Sequence, residues 1–210
     1  MTNSPDPGVA AVEAELAVLV GHTEGLQPWR RVFHAVNGVI LASALTWVVP
    51  DRSLAIPILA LVLAVLLAVD LVRLRDPRAN TLFFRLLRPF ASPREERKIA
   101  SSTWYMVGIL LAVILFPLSA VVPGILVLAF ADPAASVLGR LVGRRRLGKG
   151  SVEGTLIFAL VAFLVLLPFV PPPVAAACAL ITALVEILPL GLDDNLTVPL
   201  TAAAMVFLLG

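Results

Sequence analysis

From residue 31 onward the chain is built of long apolar runs parted by short polar or proline-bearing breaks. The runs cover about 31–49 and 54–74, a third from near 99, a fourth after Pro117 and Pro123, then 156–170, 174–190 and a last one ending at 210. Runs of this length cross a bilayer as helices, because a helix satisfies every backbone N–H and C=O without water. The pattern predicts an all-α fold: a polytopic integral membrane protein with about seven transmembrane helices.

Two stretches depart from that pattern. Residues 9–20 show helical alternation with Glu13 and Glu15 on a polar side, which predicts a short helix outside the bilayer within an N-terminal tail of residues 1–29. Residues 1–8, polar and proline-bearing, are expected to be disordered. In 75–98, Leu82, Phe83, Phe84, Leu86, Leu87 and Phe90 interleave with Arg78, Arg85 and Arg88, a segment too interrupted by charge to span. It reads as an interfacial amphipathic helix on a transmembrane domain of residues 30–210.

Composition sharpens this reading. The chain is 60% hydrophobic and only 14% charged, with a mean hydropathy of +0.99, so it carries too much apolar surface for a soluble domain and little soluble mass for a nucleic-acid partner. Its one cysteine, Cys178, offers neither a disulfide framework nor a cysteine metal site. Asp6, Glu13, Glu15 and Glu24 precede the first cation, Arg30, so the basic start of a secretory signal peptide is missing. Every Lys and Arg except Arg52 falls on the side opposite the turns at Pro50, Pro123 and Pro171. The positive-inside rule makes that side cytoplasmic and puts the N-terminus there.

The polar chemistry gathers in residues 131–155, ADPAASVLGRLVGRRRLGKGSVEGT. Asp132, Ser136 and Gly139 share a helix face of small residues with Ala135, where a ligand could approach the backbone. A carboxylate there is expensive inside a bilayer and usually marks a functional site. Arg140, Arg144, Arg145, Arg146 and Lys149 follow, with Gly143, Gly148 and Gly150 between them to turn backbone amides toward an anion. Ser151, Glu153 and Gly154 open the next helix, whose N-terminal end attracts phosphate. The composition suits a polyphosphate with its metal ion.

Other candidates cluster at the same ends. Arg31, His34 and Gly38 share one face, and Asp70 and Arg73 lie one turn apart, so the last two either pair with each other or serve a substrate site. Thr103 opens the third run, and Glu186, Asp193, Asp194, Asn195 and Thr197 bracket the turn between the last two. A transport pathway would place polar groups deep in the bilayer and on the far leaflet as well. The one-sided arrangement fits chemistry between a water-soluble nucleotide and a lipid head.

Together these motifs resemble the CTP-dependent lipid-alcohol kinases, which include dolichol kinase, phytol kinase and diacylglycerol or polyprenol kinases. The resemblance rests on D-x-x-A-x-x-x-G-R from Asp132, G-K-x-S-x-E-G-T from Gly148, R-R-x-x-H from Arg30 to His34, the Ser101 to Gly108 segment, and D-N-x-T-x-P from Asp194 to Pro199. Gly150 separates Lys149 from Ser151 where many relatives have them adjacent, and Ser101 stands where the family has glycine.

The resemblance implies CTP as phosphate donor, Mg²⁺ held by Asp132 and Asp194, and a nucleotide site of Arg31, Arg140, Gly148, Lys149, Ser151, Glu153 and Asn195. It implies a lipid alcohol attacking the γ-phosphate, with His34 or Asp70 accepting the proton. Glu153 would orient Lys149 or add a metal ligand. No GxxxxGK[ST] loop is present, so the P-loop version of this chemistry is excluded. CDP-diacylglycerol synthase has a similar layout and is the rival enzyme; a small lipid transporter or scramblase is the reading from another class.

Overall fold

The computed structural model describes residues 7–23, 25 and 27–210, so of the disorder expected for residues 1–8, residues 1–6 fall outside the described residues, while residues 7–8 instead open the first helix. The helices are α1 (Pro7–Gly21), α2 (Pro28–Ser43), α3 (Arg52–Arg75), α4 (Pro77–Leu87), α5 (Ser101–Leu115), α6 (Leu118–Val142), α7 (Val152–Leu166), α8 (Pro172–Ile187) and α9 (Asp194–Leu209). A π-helical turn, Ala44–Val48, prolongs α2.

Polar caps set the boundaries. Asp51 accepts from Ser53 N at 2.8 Å to start α3, and Asp76, in extended conformation, ends α3 and caps α4 by accepting from Arg78 N at 2.9 Å. Ser151 starts α7 by accepting from Gly154 N at 3.1 Å, and Asp193 starts α9 by accepting from Asn195 N at 3.0 Å.

The long helix α6 lies at the centre, packed on α2, α5, α7 and α9, while α8 closes the bundle against α7 and α9. Close packing needs small residues at the crossings. A Cβ at Gly124 of α6 would meet Pro199 O of α9 at 2.8 Å, and one at Gly108 of α5 would meet Asn195 O at 2.7 Å. The core between these helices is alanine-rich with Ile125, Leu128, Phe158 and Leu166 fully buried. Helix α3 stands outside, against α4 and α5, and exposes Leu61, Val65, Leu71 and Val72, as a lipid-facing helix does.

The fold is all-α with membrane character, as the hydropathy pattern predicts. Among the described residues, three helices are long and apolar enough to cross a bilayer: Pro28–Val48, Arg52–Arg75 and Leu118–Val142. The apolar helices α5, α7, α8 and α9 have only 15 or 16 residues, about 24 Å at 1.5 Å per residue, against a hydrocarbon core of about 30 Å. The amphipathic α4 lies beside α1, joined through Leu16, Val20, Phe84 and Ala91.

The glycine-basic loop is more ordered than the sequence pattern suggests. Arg146–Leu147 and Gly150–Ser151 pair as a two-stranded antiparallel hairpin, with Arg146 opposite Ser151 and Leu147 opposite Gly150. We label the strands β1 and β2. Gly148 has φ +51 at the first turn position, a conformation costly for any residue with a Cβ.

Candidate active site

Three carboxylates from helices far apart in sequence converge at one end of the bundle. Asp132 of α6, Glu186 of α8 and Asp194 of α9 each bring an oxygen within 4.8 Å of the others. Two prolines shape the helices here: Pro133 follows Asp132 and removes the helical donor for Ala129 O, and Pro199 does the same for Asn195 O. Three carboxylates at this spacing repel strongly unless a cation lies among them.

The hairpin supplies one such cation. Lys149 N donates to Ile187 O at 3.3 Å, which docks the turn on the end of α8, and Lys149 Nζ forms an ion pair with Asp194 Oδ1. A side chain at Gly148 would run into the same Ile187 carbonyl. The lysine that the motif places among phosphates is therefore held over the carboxylates.

Helix α2 brings Arg31 and His34 to this end. Arg31 is in electrostatic reach of Asp132 and Arg140, and His34 of Asp193 and Arg30. The imidazole lies edge-on to Tyr105 with ring centroids 4.8 Å apart, and its Nε2 is buried without a partner among the described residues. Arg140 is exposed and donates to Gly25 O at 3.1 Å.

Other predicted residues have local work instead. Glu153 accepts from Arg144 N at 3.0 Å and Arg145 N at 3.3 Å, pinning the loop before the hairpin rather than orienting Lys149. Its own amide and that of Arg144 hold its carboxyl below the usual carboxylate range. Ser151 is the α7 cap, and Asn195 donates through Nδ2 to Asp193 Oδ1 at 2.7 Å. The small face of α6 is filled by protein, since a Cβ at Gly139 would meet Gly154 Cα at 3.0 Å.

Asp70 stands apart from this group, in a buried cluster that ties α3, α4 and α5 together. Its Oδ1 accepts from Arg73 Nε at 2.6 Å, and its Oδ2 from Ala100 N at 3.1 Å and Thr103 Oγ1 at 2.6 Å. Arg73 continues to Asn80 Oδ1 at 3.2 Å, Glu95 O at 2.5 Å and Lys98 O at 2.6 Å, and lies over the Phe83 ring. Of the two readings for Asp70 and Arg73, pairing is the one the geometry realises. Ser101, the departure from the family glycine, accepts from Arg30 Nη2 at 2.6 Å.

Glu186 is the residue that motif reasoning left out of the metal set. Its signal was an acid in the last turn of an otherwise apolar helix, opposite the Asp193–Asp194 turn. The three acids suit a hard divalent cation, which takes oxygen ligands and leaves positions for water and phosphate.

Comparison with known proteins follows the motifs. A protein named CTP-dependent diacylglycerol kinase 1 from Eremothecium gossypii is 29% identical over 114 residues, covering 54% of this chain and 36% of that protein. Its namesake from Schizosaccharomyces pombe is 26% identical over 161 residues, covering 67% of this chain and 74% of the relative. An uncharacterised protein of Methanocaldococcus jannaschii is 29% identical over 184 residues, 85% of this chain and 91% of its own length. This chain thus spans little more than a third of the Eremothecium protein. No family model and no solved structure matches. The two named relatives support the resemblance to CTP-dependent lipid kinases. The likeness to CDP-diacylglycerol synthase rests on motif layout alone.

Proposed function

We propose that this chain is a membrane kinase that transfers the γ-phosphate of CTP to the hydroxyl of a lipid alcohol at the cytoplasmic face. The observation that carries this reading is the meeting of Asp132, Glu186 and Asp194 with Lys149 at one end of the bundle. Diacylglycerol leads as acceptor because two relatives bear that name; phytol, dolichol and other polyprenols are the alternatives. In the same reading α2, α3 and α5 to α9 all cross the membrane, with the N-terminus and the carboxylates inside. Arg52, the lone cation of the opposite side, donates to Val113 O at 2.6 Å at the far end of α5.

The three carboxylates would hold Mg²⁺. When bound, the ion supplies neutralisation of the triphosphate and of the charge that builds on the leaving diphosphate. Lys149, Arg31 and Arg140 bind the β- and γ-phosphates; Lys149 reaches them by leaving Asp194. Glu153, Ser151 and Gly148 act through the backbone by fixing the hairpin, and Asn195 steadies the first turn of α9. The acceptor oxygen bonds to the γ-phosphorus as the bond to the β–γ bridging oxygen breaks, and CDP leaves with that electron pair. Both oxygens of Asp70 are engaged and His34 Nε2 is buried without a partner among the described residues, which supports His34 as the acceptor of the hydroxyl proton.

A cytidylyltransferase would use the same cation and nucleotide but attack the α-phosphate with phosphatidate and release pyrophosphate. The test is transfer from γ-labelled CTP, with ATP in parallel, to diacylglycerol, phytol, farnesol and polyprenol in detergent with Mg²⁺. Label in one lipid supports the kinase and names its substrate. Pyrophosphate release on adding phosphatidate, without lipid labelling, would establish the rival. Nucleotide-independent lipid flux in liposomes would point to a transporter or scramblase.

A further inference from the structure

Two buried polar atoms have no hydrogen-bond partner among the described residues: His34 Nε2 and the Tyr105 hydroxyl. They belong to neighbouring rings, with centroids 4.8 Å apart and an edge-to-face arrangement. A Cβ built on Gly38, one turn along α2 from His34, would lie 3.3 Å from the Tyr105 hydroxyl. Buried polar groups are rarely left unpaired, and two together at a helix junction point to a guest that completes them.

Helix geometry puts this pair next to the carboxylates. Gly38 is pressed against α6, since its Cβ would fall 2.5 Å from Ala129 Cβ. The two helices run antiparallel here: the earlier Arg31 of α2 is in electrostatic reach of the later Asp132 and Arg140 of α6. The turn from Gly38 back to His34 and the turn from Ala129 on to Asp132 therefore rise toward the same end, by about 6 and 4.5 Å. On α5, Gly108 packs against Asn195 in the first turn of α9, and Tyr105 lies one turn nearer the carboxylate end. His34 and Tyr105 thus line the junction of α2, α5 and α6 at the depth of Asp132. Val32, Phe33 and Val36 expose an apolar flank on the same stretch of α2, where a lipid chain can lie.

We propose that His34 and Tyr105 form the subsite for the acceptor hydroxyl, Tyr105 donating to its oxygen and His34 Nε2 accepting from its O–H. A hydroxyl at the end of an apolar chain brings the donor and acceptor that this pair lacks, with no charge to desolvate. The inference rests on the kinase reading and names the groups that hold its second substrate. Tyr105 positions the attacking oxygen, and the proton passes to His34 as the new oxygen–phosphorus bond forms.

The test uses full-length protein in detergent and the substitution Tyr105→Phe, which keeps the ring contact and deletes the hydroxyl. The lipid-free thermal midpoint is expected not to fall, because the lost group had no partner. The upward shift of that midpoint on adding farnesol or dioctanoylglycerol shrinks in the variant. In phosphate transfer, kcat/KM for the lipid falls about three- to tenfold, while KM for CTP stays at the wild-type value. A lower lipid-free midpoint, a lipid-induced shift equal to wild type, or no shift with either lipid in wild type would overturn the subsite. If wild type binds lipid in the Tyr105-dependent way yet never transfers phosphate from CTP, the subsite stands and the kinase reading fails.

Discussion

Replacing Asp70 with Ala separates a structural acid from a catalytic one. The Asp70 and Arg73 side chains keep only 4% and 2% of their surface exposed, so removing the acid strands a buried guanidinium. Breaking a buried pair from one side costs about 3–5 kcal/mol. The Thr103 hydroxyl and Ala100 amide lose their acceptor as well, whereas Arg73 keeps Asn80 Oδ1 and two carbonyls, which holds the total near the lower end of that range. At about 2–4 °C per kcal/mol for a chain of this size, the thermal midpoint in detergent falls by roughly 6–15 °C. Asp70→Asn, which keeps an acceptor of the same shape, loses less. Transfer activity per folded molecule, measured well below either midpoint, stays within about twofold of wild type, as expected for a group that touches no reacting atom. An Asp70→Ala protein with the wild-type midpoint and transfer reduced a hundredfold or more would refute the reasoning and make Asp70 the proton acceptor.

Glu186→Gln keeps shape and removes one of the three clustered charges, so the Mg²⁺ concentration for half-maximal transfer rises roughly tenfold or more; an unchanged requirement would remove Glu186 from the metal set. Gly124→Ala forces a Cβ to 2.8 Å from Pro199 O, and the displaced α6–α9 crossing costs about 1–3 kcal/mol, read as a lower thermal midpoint. Glu153 predicts a pH effect. Its folded-state pKa lies below the ordinary 4.5, so its stabilisation of the Arg144–Arg145 loop is present above that value and is lost as pH falls through the depressed one. Hydrogen exchange at the Arg144 and Arg145 amides should quicken over that range beyond the intrinsic pH dependence, and Glu153→Gln should abolish the change; identical profiles would mean the carboxylate does not hold the loop.

Much of this architecture is legible in the sequence because apolar runs are a periodic, additive signal. The helices fall where the runs do, and Asp132, Lys149, Asp194 and His34 are found at one end of the bundle. Less legible were pairings that depend on which helix lies beside which. Nothing local says that Glu186, in the last turn of α8, meets Asp132 from α6, or that Ile187 O receives the hairpin amide. Asp70 and Glu153 were ambiguous for a related reason: a carboxylate reads alike in sequence whether it awaits a ligand or already accepts from Thr103 or Arg144. The Gly139 face looked ligand-ready because small residues admit any close neighbour, and here the neighbour is Gly154 of α7. Span number is less legible than span position: among the described residues three helices are long and apolar enough to cross by length alone, while α5, α7, α8 and α9 are apolar but have only 15 or 16 residues.

The most direct test of the central claim is Mg²⁺-dependent transfer from γ-labelled CTP to diacylglycerol by wild type and by Asp132→Asn, a change that keeps the side chain's shape. The account predicts labelled lipid with wild type and Mg²⁺, loss of about a hundredfold or more in the variant at unchanged thermal midpoint, and none without the cation. Equal labelling by the variant, or labelling indifferent to Mg²⁺, would contradict it.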